Sequence, residues 1–266
     1  MKLRIALFCL TGGLCMSVAS LDAGHLGWWY LSGVVLAGAY VPVARFGPRS
    51  WLGQFGAIAL LQVVVALLCT VWEAVIFIPG EKAAFGRNLI SGVAMYLFFA
   101  AVLALLAKAL KLREPSGAAA QRRPIGTAAL MVALSGLAYV VYYLIFGAIT
   151  YQFFTRQYYP EAQRMVAELG WWFWAIELAR GILMTLAVLP VIYTLRMRRW
   201  QVAVAAGALL WIAGGAAPLL VPNSLMTAKQ RYIHMVEILT QNACLGVTAA
   251  LLLTKPAAKG GRPAHG

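Results

Sequence analysis

Charge is what this sequence has least of. Charged residues make up 11% of its 266, and aspartate and glutamate together number only 8. A soluble domain carries roughly a quarter charged residues, so a free-standing soluble fold is excluded. Two-residue alternation of polar and apolar positions is missing as well, which excludes a transmembrane β-barrel. The 4 cysteines (Cys9, Cys15, Cys69, Cys244) lie inside apolar stretches with no CxxC spacing, so neither a zinc site nor a disulfide framework is indicated. No GxxxxGK[ST] follows Gly12-Gly13, so there is no nucleotide phosphate loop. No pair of histidines falls on facing helices, which disfavours haem, and HExxH is absent.

What is present is apolar: 62% of the residues, gathered into blocks of the length a helix needs to cross a hydrocarbon core of roughly 30 Å. In lipid only helices and closed barrels satisfy every backbone group, so the chain reads as an all-α, polytopic membrane protein. Eight helices are expected, over residues 3–20, 26–44, 51–78, 89–107, 125–149, 171–194, 201–220 and 232–254, bounded by breaks at Gly47-Pro48, Pro79-Gly80, Pro115, Pro124, Pro160 and Pro222. With the amino terminus inside, 15 Lys and Arg fall on inner segments and 6 on outer ones. That bias places both termini in the cytoplasm and fits a bacterial cytoplasmic membrane. It also accounts for the net charge of +14 without nucleic acid, since no basic domain stands outside the membrane. The lipid bilayer is the expected partner; oligomeric state is left open.

The first block, "MKLRIALFCLTGGLCMSVAS", reads as an uncleaved helix, with a signal peptide ending near residue 19 as the alternative. The basic loop 108–124 reads as a flexible connection between two four-helix halves. An internal repeat is hinted at only by the third and seventh blocks, which end in Pro79 and Pro222 with Arg87 and Arg231 following. The aromatic segment 150–170 is the longest outer stretch. Pro160-Glu161 can start a short helix there, with Met165, Val166 and Leu169 on one face, lying on the membrane surface or covering a site. An aromatic belt anchoring two helix ends is the plainer reading.

Ionisable groups inside hydrocarbon are costly and usually have partners and a task. Glu73, Glu177 and Glu237 lie at similar depth, roughly 8–9 Å below the outer ends of three helices at 1.5 Å per residue. Arg180 follows Glu177 by one turn. Arg231, His234, Glu237 and Gln241 form one stripe, with Asn242 beside it. Tyr96, Tyr142 and Tyr143 can face the same layer. The inner halves offer only neutral groups such as Gln62, Ser135 and Thr248, so a pocket open outward and sealed below is expected.

The substrate- or ion-binding candidates are therefore Glu73, Glu177, Arg180, Arg231, His234, Glu237, Gln241 and Asn242. Arg180 with Glu177 or Glu237 also reads as a structural pair between helices. The only set that could assemble a divalent metal site is His234, Glu237, Glu177 and Glu73, through a short and nonspecific HxxE spacing. Three function classes follow. The first binds or transports an ion, a proton-coupled solute or a lipid headgroup. The second is an intramembrane enzyme acting on a lipid-linked substrate at the outer leaflet. It would use His234 or Glu237 as acid or base, with Arg180 and Arg231 holding an anionic headgroup. The third is a structural or assembly partner in which the charges only lock helices. Whether the protein is an enzyme stays open.

Overall fold

The structure, a computed structural model, describes residues 1–77, 81–114 and 121–255, without the side chains of 77 and 81–84. Among the described residues eight helices are long and apolar enough to cross a membrane, and the protein is all-α and polytopic. In chain order the helices are α1 (Lys2–Ser20), α2 (Leu26–Phe46), α3 (Trp51–Ile76), α4 (Glu81–Ala109), α5 (Ile125–Thr155), α6 (Ala162–Leu169), α7 (Trp171–Thr194), α8 (Arg199–Leu220) and α9 (Ala228–Leu253). All but the short α6 are spans. The breaks expected at Pro79 and Pro115, the Lys82 side chain, Lys259 and Arg262 lie outside the described residues.

Local chemistry sets several starts. Ser50 accepts the Gly53 amide at 3.0 Å ahead of α3. Thr227 and Gln230 form a reciprocal cap on α9, at 3.3 Å and 2.8 Å. The fifth span outruns its expected end at residue 149 and reaches Thr155. Two π-helical turns, Tyr143–Gly147 and Tyr151–Thr155, let it continue through the aromatic residues. Segment 150–170 is thus a helix end, a turn and α6 rather than one surface stretch.

Leucines at 3, 7, 14, 97, 105 and 137 point outward, as a lipid-facing surface requires, while small residues bring backbones together inside. At Gly246 an added Cβ would lie 2.6 Å from the Ala206 carbonyl group and from the Gly207 Cα, so α8 and α9 meet backbone to backbone. Gly246→Leu should therefore cost about 1–3 kcal/mol through overpacking, read as a lower melting temperature in detergent. An unchanged melting temperature would show that these two helices separate without cost.

The basic residues assigned to the inner side gather at one end of the bundle. Arg45 pairs with Glu114, and Arg113 donates to the Arg49 carbonyl at 3.1 Å. Arg123 and Arg199 donate to the Leu252 and Leu251 carbonyls, at the electronegative end of α9. The Lys255 amide donates to the Gln121 carbonyl at 3.1 Å. Both described flanks of the loop 108–124 are consequently tied to the bundle, through Arg113 and Glu114 on one side and Gln121 and Arg123 on the other, while residues 115–120 lie outside the described residues.

Candidate functional site

Two polar clusters occupy the opposite end. In the first, Arg180 on α7 reaches across to α3, where its Nη2 donates to Glu73 Oε2 at 2.6 Å. Its Nη1 donates to Glu177 Oε2 at 3.4 Å, one turn away on the same helix. The guanidinium sits 5.9 Å from the Tyr139 ring of α5, an added cation–π contact. The side chains of Glu177 and Arg180 are 1% and 7% exposed, whereas that of Glu73 is 35% exposed. Glu73 is thus the outer member of a buried triad. The structural pairing expected for Arg180 exists with Glu177 but not with Glu237; Glu73 takes that place, while the two oxygens of Glu237 are engaged by His234 and Gln241 on its own helix.

The second cluster lies along α9. His234 Nδ1 and Glu237 Oε2 are 2.9 Å apart, and His234 Nε2 lies 3.3 Å from the Tyr159 hydroxyl, in the turn ahead of α6. Burial pushes the Tyr159 phenol above its ordinary range, so it stays a neutral hydroxyl beside the imidazole. Gln241 Nε2 donates to Glu237 Oε1 at 3.2 Å, so both carboxylate oxygens are engaged. A His side chain orients a carboxylate here, and a tyrosine orients the His.

A cavity of about 490 Å³ joins the clusters. Glu73, His234 and Glu237 reach its wall, together with Tyr143, Tyr151 and Tyr159, while α6 contributes Ala162, Gln163 and Val166 on its outer side. The rest of the wall is mostly apolar, including Phe173 and Trp174. The half-buried face of α6 (Ala162, Met165, Val166, Leu169) is the one expected from the sequence, and its Arg164–Glu161 and Arg164–Glu168 pairs point to solvent.

Several candidates fall elsewhere. Arg231 is turned away from the cavity and clamps the α8–α9 connection, donating to the Leu219 carbonyl at 3.1 Å and the Met226 carbonyl at 3.3 Å. Carbonyls left open at the end of α8 attract it more than the apolar cavity wall does. Asn242 donates to the Leu210 carbonyl at 3.1 Å and serves α8–α9 packing. Glu177, Arg180 and Gln241 stand behind the wall rather than in it. Tyr142 points inward, with its hydroxyl 2.8 Å from the Thr248 hydroxyl, and Tyr96 is buried in the first half of the bundle. Tyr143 alone of the three tyrosines reaches the cavity. Among the described residues no three His, Cys, Asp or Glu side chains are grouped so that they could hold a metal ion. Tyr159 was not among the candidates; the only sequence signal for it was its place before Pro160-Glu161 in the aromatic stretch.

Fold and buried charge together define the class: an integral, multi-pass α-helical membrane protein with ionisable residues in its interior, an arrangement consistent with a transport-type role. No family model, curated protein or solved structure matches the chain.

Proposed function

We propose that the cavity binds a hydrophobic organic cation from the outer side of a bacterial cytoplasmic membrane, in exchange with protons, as the first step of transport. One observation carries this reading. In a chain with 22 Lys and Arg against 8 acidic residues, the described residues lining the cavity include two glutamates and no lysine or arginine. The apolar wall suits a ligand with a large hydrocarbon surface, and its volume is in the range of small-molecule sites. Glu73 and Glu237 supply the negative charge, and His234 is the group that can exchange a proton at neutral pH. An anionic headgroup is disfavoured, because Arg180 is held by two carboxylates and Arg231 by two backbone carbonyls. Outward orientation rests on the basic residues clustered at the other end of the bundle.

The test uses two ions of matched size and opposite charge. Purified protein should bind tetraphenylphosphonium saturably and at least tenfold more tightly than tetraphenylborate, and Glu237→Gln should erase most of that preference. Equal affinity for the two ions would sink the proposal. A second reading, an intramembrane enzyme at the outer leaflet, is favoured by His234 itself. Glu237 on Nδ1 and a hydroxyl near Nε2 is an arrangement suited to moving a proton.

A further inference from the structure

Two regions of the bundle repeat each other contact for contact. Between α1 and α2, a Cβ on Gly13 would fall 2.7 Å from the Val34 side chain and 2.8 Å from Tyr30. One on Gly33 would fall 2.6 Å from the Met16 Cβ and 2.9 Å from the Gly13 Cα. Between α5 and α7, a Cβ on Gly136 would fall 2.6 Å from the Ile182 side chain and 3.2 Å from the Leu178 carbonyl. One on Gly181 would fall 2.7 Å from the Tyr139 Cβ and 3.1 Å from the Gly136 Cα. The residues correspond one for one: Gly13 with Gly136, Met16 with Tyr139, Tyr30 with Leu178, Gly33 with Gly181, Val34 with Ile182.

The correspondence continues down the chain. The spacing that takes Gly33 to Gly181 also takes Pro42 to Pro190, the in-helix prolines of α2 and α7. It takes Trp51, at the head of α3, to Arg199, at the head of α8. Both of these helices carry a π segment, Gln62–Leu68 and Ile212–Ala216, and the same spacing takes Leu68 to Ala216. The stretch "GVVLAGAYVPV" at Gly33 therefore lies over "GILMTLAVLPV" at Gly181, with Gly, Ala, Pro and Val in common places. In the fourth pair of helices the contact is kept while the glycine changes sides. A Cβ on Gly92 of α4 would meet Leu67 of α3 at 2.4 Å, and one on Gly215 of α8 would meet Ile238 of α9 at 2.6 Å. Burial matches too: Phe99, Ala100, Leu103, Ala104 and Ala107 in α4 against Leu245, Gly246, Ala249, Ala250 and Leu253 in α9. This is not the match hinted at by Pro79 and Pro222, which falls out of register with every one of these pairs.

Packing obeys the same exchange. α1 lies on α2 and α4 while α3 lies on α4; α5 lies on α7 and α9 while α8 lies on α9. Between the groups α3 meets α7, α8 meets α2, and the two π segments touch each other. These relations require a two-fold axis running along the bundle between α3 and α8. We infer that residues 2–109 and 125–253 are two copies of one four-helix unit, and that rocking of the copies about their π-helical contact carries the ligand of the outer cavity to the inner side. The transport half of this inference rests on the cavity being an outward-facing binding site; the duplication does not.

Two further features point to movement. The cavity chemistry is divided unequally: Glu73 lies in the first copy, with Val221 as its mate, while Glu177, Arg180, His234 and Glu237 lie in the second, and their mates in the first are Trp29, Ser32, Asn88 and Ser91. The second copy is also longer between its first two helices, by the residues that bring Tyr159 and α6 over the cavity. Meanwhile the inner half holds polar groups that the present packing does not satisfy. Gln62 is wholly buried, its amide facing the Tyr40 hydroxyl without a well-formed hydrogen bond, and Asn242 Oδ1 lacks one as well. Gln62 lies 11 residues from the head of α3, roughly 16 Å from the inner end. Unpaired buried amides are costly, and a state in which the inner half is hydrated would satisfy them.

The test uses the full chain with its four cysteines replaced by alanine. Gln62→Cys, and independently its mate Leu210→Cys, should react with a membrane-impermeant maleimide from the inner face of inside-out vesicles. Phe46→Cys with Arg196→Cys joins the copies at the inner end, where the Arg196 amide donates to the Phe46 carbonyl at 2.9 Å. Oxidising that pair should slow inner labelling at least tenfold, and reductant should restore it. Tetraphenylphosphonium added on the outer side should change the labelling rate. A rate that responds to the disulfide but not to this cation would leave the rocking intact and remove the cavity reading. If both reporters stay unreactive in the membrane but label fully on unfolding, or if the disulfide leaves labelling unchanged, the rocking is overturned.

Discussion

Arg180→Ala should destabilise the protein by about 3–5 kcal/mol, because the change removes the one guanidinium shared by Glu73 and Glu177 and leaves a 1%-exposed carboxylate uncompensated. Most of this is a penalty for breaking the triad rather than a measure of its net worth. Replacing all three members with neutral groups of similar size (Arg180→Met, Glu73→Gln and Glu177→Gln) should therefore recover much of the loss. Detergent melting curves separate the cases: the single variant should melt well below wild type and the triple variant between them. If Arg180→Ala melts with wild type, the triad does not hold α3 to α7. Glu237→Gln serves as a control, since Glu237 touches neither Arg180 nor Glu177 and should have a far smaller effect.

The parts of this molecule differ in how legible they were, for physical reasons. The eight spans are written in the sequence because each must cross the same thickness of hydrocarbon, and a long apolar run has no other solution. Depth was legible too: counting residues from helix ends put Glu73 and Glu177 in one layer, and they meet on one arginine. Helix order around the bundle was not. Nothing in Arg180 distinguishes a partner on α3 from one on α9 at equal depth, and the wrong one was included. Arg231 fits its stripe by spacing, yet a guanidinium has enough reach to turn back to loop carbonyls, which periodicity does not encode. The duplication escaped because the two copies share little identity. What they share is where backbones touch, and a glycine conserves that as well when it moves to the facing helix, as from Gly92 to Gly215.

His234 and Glu237 separate a binding site from a helix lock by pH. A protonated His234 places positive charge where a bound cation must sit, so tetraphenylphosphonium should bind more tightly as pH rises from 5 to 8 and the imidazole gives up its proton. Two unit charges about 6 Å apart at an effective dielectric constant of ~20 interact by about 3 kcal/mol. Glu237 neutralises part of that field, so a change of roughly tenfold across the range is expected. In His234→Ala the slope should flatten while tight binding persists at low pH; in Glu237→Gln affinity should fall about tenfold at pH 8. Both side chains are partly exposed to the cavity, and truncating such wall residues usually costs little stability, about 1 kcal/mol or less. Melting temperatures should accordingly stay close to wild type. If the cluster serves only to tie α9 to the turn before α6, the opposite pattern follows: both variants lose several degrees of stability, and cation binding keeps its wild-type dependence on pH.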